Sequence, residues 1–151
     1  MRIPFFFKLG PFEAAYVVAV LGSKPLGIHE TVEFLVDTGA SRTTICDKDA
    51  VRLRIDFTKL EKLSEGMLGI GGAVNAYVLN DIELAFRRED EKDYVENFEK
   101  IYVLKHMPVD ERIMRIPSIL GRDMLNRYAL VYDKRHEKAY ITDESISTGI
   151  I

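Results

Sequence analysis

Leu35, Val36, Asp37, Thr38, Gly39 and Ala40 run an apolar pair into an acid, then a hydroxyl, then two small residues. An aspartate at the end of an apolar strand is poorly solvated, so its charge needs donors that converge on it. The Gly39 amide can supply one, and glycine leaves room for another backbone to approach. Thr38 can donate its hydroxyl sideways while its methyl packs, which suits bracing one turn against another. Such a carboxylate can act as general acid or base on a water molecule. Asp-Thr-Gly also occurs in ordinary turns, and its neighbours here raise its weight. Ala40 and Ser41 follow directly, glycines 69, 71 and 72 lie about thirty residues on, and Ile119-Leu120-Gly121-Arg122-Asp123 stands near the C-terminus.

Other chemistries have little support. His29, His106 and His136 lack metal-ligand spacing, and Cys46 has no second cysteine with which to bind metal or form a disulfide. Cys46 is expected to be a small core filler. No Gly-x-Ser-x-Gly elbow and no glycine-rich loop ending in Gly-Lys-Ser/Thr is present. Neither a metal nor another cofactor is expected.

In this order the elements resemble the retropepsin-like family of aspartic peptidases: a strand hairpin, two apolar residues before Asp-Thr-Gly-Ala, a Gly-rich segment, then two apolar residues before Gly-Arg-Asp and a short helix. The resemblance covers roughly residues 14–133. It implies that Asp37 is the catalytic acid, supported by Thr38 and Gly39, with Thr38 linking the active-site loops of two subunits. Gly39, Ala40 and Ser41 would line the substrate cleft. Met67 to Tyr77 would form a flap contacting substrate through Gly69, Ile70, Gly71 and Gly72. Leu35-Val36 and Ile119-Leu120-Gly121 would cross in a ψ-shaped arrangement beneath the site, with Arg122 beside it.

Hydrolysis by this chemistry needs two carboxyl groups, and the chain carries one Asp-Thr-Gly. Asp81 and Asp123 are followed by neither hydroxyl nor glycine. The resemblance therefore implies an endopeptidase acting on extended polypeptide as a symmetric homodimer, with an Asp37 from each subunit at the axis. The alternative is a dimeric module of the same fold that binds peptides as a scaffold without cutting them.

The elements that must position Asp37 are short strands. Residues 13–21 and 31–36 read as a hairpin, 81–86 and 101–104 as strands, and 129–133 and 139–142 as two more. Asp47 to Ile55 offers an Asp-capped helix with Ala50, Val51 and either Leu53 or Ile55 inward, and Asp123 to Tyr128 a second short helix. Residues 87–100, almost all charged, read as a solvated hairpin tip or linker. The fold class is all-β, a single closed acid-protease domain with one or two short helices. Its expected extent is residues 13–143, between an N-terminal extension, 1–12, and a C-terminal tail, 144–151, that is either disordered or an edge strand. In that extension Phe5, Phe6 and Phe7 cannot all point one way on a strand, so at least one is expected against a partner subunit or across the cleft.

The 151 residues, 47% hydrophobic and 30% charged, suffice for one core. The net charge of -3, with cations scattered among acids, offers no footprint for nucleic acid. The apolar run 14–22 is too short to span a bilayer, and one cysteine fits a reducing compartment. A cytoplasmic protein with no membrane and no nucleic-acid partner is expected. One departure from the family bears on assembly. Retroviral members often have an acid at the position of Ser41, where it pairs with the arginine of the Gly-Arg element, so Arg122 here must find another partner.

Overall fold

The structure is a computed structural model that describes residues 1–63, 67–69 and 72–145. Its strands are β1 (Arg2–Pro4), β2 (Phe6–Lys8), β3 (Ala14–Ser23), β4 (Ile28–Val36), β5 (Thr44–Ile45) and β6 (Glu61–Lys62). They continue as β7 (Met67–Gly69), β8 (Gly72–Arg87), β9 (Asp93–His106), β10 (Ser118–Leu120), β11 (Ala129–Asp133) and β12 (Lys138–Thr142). Two short helices complete the frame, α1 (Asp47–Arg52) and α2 (Arg122–Leu125). The all-β expectation holds.

The large sheet runs β2-β3-β4-β10-β5-β9-β8-β6, with β7 paired to β8. A second sheet orders β1-β12-β11. β3 and β4 form the expected hairpin, Tyr16 opposite Leu35 through Ser23 opposite Ile28, and β3 also pairs with β8. Alternation along β3 and β4 sends Val17, Ala19, Leu21, Val32 and Phe34 inward, where they join Leu84, Phe86, Ile101, Val103, Leu120 and Ile141 in the core. No helix among the described residues is long and apolar enough to cross a membrane.

Three local readings are corrected. Residues 87–100 are mostly strand: only the stretch between β8 and β9 turns, and from Asp93 onward Tyr94, Glu96 and Phe98 alternate inward against exposed neighbours. Phe98 is buried. Charges on the outward face hid a period-2 pattern. Helix α1 is capped by Cys46 with no side-chain bond, while Asp47 is its first residue. Val51 faces solvent, whereas Ala50, Leu53 and Ile55 are buried. The second helix starts at Arg122 and ends at Leu125, short of Tyr128. The N-terminal phenylalanines make contacts within their own chain, and Phe6 keeps 39% of its surface exposed. Phe5 is buried, Phe6 stacks on Tyr16, and Phe7 meets Tyr132 edge-on. The segment that bears them donates β1 to one sheet and β2 to the other.

Candidate active site

β10 runs in parallel beside the end of β4. Ser118, Ile119 and Leu120 stand opposite Phe34, Leu35 and Val36. The ladder closes one residue further, where the Asp37 amide donates to the Leu120 carbonyl at 3.0 Å. There the chain turns. The Gly39 amide donates to Asp37 Oδ1 at 2.8 Å, and the Ala40 amide to the Asp37 carbonyl at 3.3 Å. Asp37 is half-buried while Thr38 and Gly39 are exposed. Among the described residues no second donor reaches the Asp37 carboxylate.

The far side of the turn is pinned to α2. The Arg122 and Asp123 amides donate to the carbonyls of Ala40 and Ser41 at 2.8 and 3.2 Å. Arg122 Nη1 donates to the Thr38 carbonyl at 2.9 Å. A backbone oxygen is thus the partner that Ser41 could not be, and the arginine clamps the Asp37 turn from its own chain. Gly121 permits this crossing: a Cβ there would stand 2.6 Å from the Arg42 carbonyl carbon and 2.9 Å from the Thr43 nitrogen.

Asp37, Thr38, Gly39, Ala40, Ser41, Leu120, Gly121 and Arg122 are therefore brought together. Gly69 and Gly72 face each other in the β7–β8 hairpin. Ile70 and Gly71, between them, lie outside the described residues, as do residues 146–151 of the tail.

Two residues escaped the sequence reading. Asp123, considered there only as part of the Gly-Arg-Asp element and as an acid outside the motif, binds Thr43: its Oδ1 accepts the hydroxyl at 2.7 Å and its Oδ2 the amide at 2.9 Å. Thr43 Oγ1 in turn accepts the Gly121 amide at 3.2 Å. The signal available was an acid in the first turn of a helix, where a carboxylate also answers a free amide; Asp123 Oδ1 accepts that of Met124.

Beside the turn runs a row of side chains on one face of the sheet. Leu35 pairs with Ile119, Ile119 with Thr44, Thr44 with Tyr102, and Tyr102 with Val78. The first four are half-exposed, while Phe34, Ser118, Leu120, Ile45, Ile101 and Val103 on the opposite face are buried. The row begins two residues before Asp37 and ends at the base of the long β8–β9 hairpin. It forms a half-exposed wall beside the Asp37 turn.

A second polar cluster lies behind the wall. Asp47 accepts from the His106 amide at 2.8 Å and meets His106 Nδ1 at 2.6 Å, both residues being buried. Asp49 accepts from Ser118 Oγ, which itself accepts the Cys46 amide. These bonds tie α1 to β9 and β10.

A family model described as Aspartyl protease matches residues 18–124. No curated protein matches the chain. Among solved structures, the fold is similar to that of a retropepsin-like aspartic protease from Rickettsia conorii, at 23% identity and a TM-score of 0.57, over 93% of this chain and 98% of that one. This likeness shows a retropepsin-like fold. EIAV protease, solved with the inhibitor HBY-793, matches at 16% identity and a TM-score of 0.42, over 79% of this chain and 91% of that one.

Proposed function

Because the chain belongs to the aspartyl protease family, we propose that it is an endopeptidase in which a water molecule is activated between Asp37 and the Asp37 of a second copy. One carboxylate takes a proton from the water as it attacks the scissile carbonyl, while the other carboxyl protonates the carbonyl oxygen. The resulting tetrahedral species collapses as the leaving nitrogen receives a proton. The chain's part is to hold Asp37 still: Leu120 fixes its backbone, the Gly39 amide its Oδ1, and Arg122 the turn around it.

The observation that carries this reading is the exposure of the turn on a single chain. A rigid loop with a half-buried carboxylate and an exposed Thr38 and Gly39 suits a surface that a two-fold partner covers. The exposed stretch of the row, Leu35 to Tyr102, would then line the polypeptide bound as an added strand, its alternate side chains meeting the wall. The β7–β8 hairpin would close over it as a flap.

The test is incubation of an unfolded protein mixture with the enzyme across about pH 4 to 7, with and without a statine peptide. Cleavage that the statine blocks, with a bell-shaped pH profile, is the expected result. Absence of cleavage, with no statine binding, would favour the scaffold alternative instead. Sedimentation gives an independent check, since a strict monomer at micromolar concentration could not bring two Asp37 carboxyls together.

A further inference from the structure

We propose that Arg42 is a specificity-determining residue that selects polypeptides with an acidic side chain beside the scissile bond; the inference rests on the peptidase reading of the Asp37 site. Arg42 lies five residues after Asp37 on the same loop. Its backbone is held hard against Gly121, and its carbonyl accepts the Thr44 hydroxyl at 3.0 Å. Its side chain therefore leaves from a fixed base. The guanidinium lies over the Tyr102 ring, 5.5 Å from the centroid. Tyr102 is the fourth member of the wall that starts at Leu35, so the charge stands on the surface that an extended ligand would follow.

The acids that could neutralise this charge are otherwise engaged. Asp123, on the helix packed against the loop, spends both oxygens on Thr43. Asp37 is turned to the Gly39 amide. Among the described residues no carboxylate comes within 4.0 Å of the Arg42 guanidinium. Arg122, the other cation of the region, is committed to the Thr38 carbonyl and adds positive potential. A guanidinium resting on an aromatic ring keeps the donors along its edge available, and their fork matches a carboxylate. A ligand strand sends alternate side chains into one wall, so one substrate position meets this fork. Glutamate or aspartate there forms a charge-assisted pair, whereas lysine or arginine is repelled.

The experiment compares cleavage-site profiles on a denatured-protein peptide library at about pH 6, where substrate carboxylates are ionised. Wild type is expected to cut with Glu and Asp enriched about tenfold at one position. Arg42→Ala should lose the enrichment while still cutting, Arg42→Lys should keep part of it, and Arg42→Glu should shift the preference to Lys and Arg. In wild type the enrichment should fade as pH falls below about 4. A wild-type profile indifferent to acids, or an acid preference that survives Arg42→Glu, overturns the proposal while leaving the peptidase intact.

A binding arm separates the two claims. The same library is captured on Asp37→Asn protein with Arg42 intact and on the Asp37→Asn, Arg42→Glu double variant. If wild type cuts nothing but acidic peptides are retained only with Arg42 intact, the peptidase reading fails and Arg42 stands as a residue that selects acidic peptides for binding. If peptides are neither cut nor retained, the Arg42 assignment falls as well.

Discussion

The Asp123 carboxylate grips Thr43 at two points, accepting its hydroxyl at 2.7 Å and its amide at 2.9 Å, across 80 residues of sequence. Thr43 closes the loop that Asp37 opens, so this pair fixes the far end of the candidate catalytic turn to α2. Asp123→Ala leaves a buried Thr43 hydroxyl and amide without that acceptor. The expected loss is about 2–3 kcal/mol of stability, read by urea unfolding. Activity should fall further than stability does under conditions where the variant remains folded, because the turn bearing Asp37 is no longer held at its far end.

Gly121→Ala addresses the same crossing by steric means. The added methyl would stand 2.6 Å from the Arg42 carbonyl carbon and 2.8 Å from its oxygen, and backbone atoms have little freedom to withdraw. Helix α2 and the loop must separate, at about 1–3 kcal/mol. Thermal unfolding measures the cost, and residual peptidase activity reports how far the turn has shifted.

Asp37→Asn should behave in the opposite manner, harming chemistry and sparing the fold. The asparagine carbonyl can still accept the Gly39 amide, and the Asp37 backbone bond to Leu120 does not involve the side chain. Stability should change by less than about 1 kcal/mol, while hydrolysis should fall by about 10⁴-fold or more. Parallel denaturation curves and a cleavage assay on one preparation check both halves. Retained hydrolysis would remove the carboxylate mechanism.

What could be read from sequence follows from where each residue finds its partners. The Asp37 turn was legible because its requirements are local: apolar residues lead in, and Gly39 two positions on supplies the amide. The parallel β4–β10 pairing was available only through the resemblance. Asp47 looked like a helix cap because the sequence shows the helix and not His106, 59 residues away, which takes both carboxylate oxygens. Val51 was assigned inward when the helix turns that position to solvent. Phe5 and Phe7 meet residues that the sequence does not place beside them: the Phe5 amide donates to the Ala139 carbonyl, and the Phe7 ring meets Tyr132. Thr43 and Asp123 were missed for the same reason. Each is an ordinary polar residue until the fold joins them.

The Asp47–His106 pair yields a prediction of its own. Both side chains are only 3% exposed, and the carboxylate serves the histidine amide as well as its ring. Asp47→Ala strands those donors in the interior and detaches α1 from the end of β9. The expected destabilisation is about 3 kcal/mol, larger than that of a lost surface ion pair. A double-mutant cycle with His106→Ala should recover part of the loss, because one set of stranded donors disappears with the ring.

Cys46 connects the same region to alkaline pH. Its thiol is 1% exposed at the N-terminus of α1, and its amide is bound to Ser118. Burial, reinforced by the charges of Asp47 and Asp49 and only partly opposed by Lys48, pushes the thiol from the ordinary 9.0 up to about 12. In the unfolded chain the thiol ionises near its ordinary value, so above that pH the unfolded state releases a proton the folded state retains. The stabilisation is thus fully present below about pH 9 and is lost as pH rises toward 12, with a slope on the order of 1 kcal/mol per pH unit. Urea unfolding at successive pH values from about 8 to 10 should show a steeper alkaline decline for wild type than for Cys46→Ala, the difference isolating this thiol from the tyrosines and lysines that titrate nearby in pH. Iodoacetamide at about pH 8 should leave the folded protein unmodified and label it once urea exposes the thiol. Rapid labelling of the folded chain, or identical alkaline slopes for the two proteins, would contradict this assignment of Cys46 to a sealed interior.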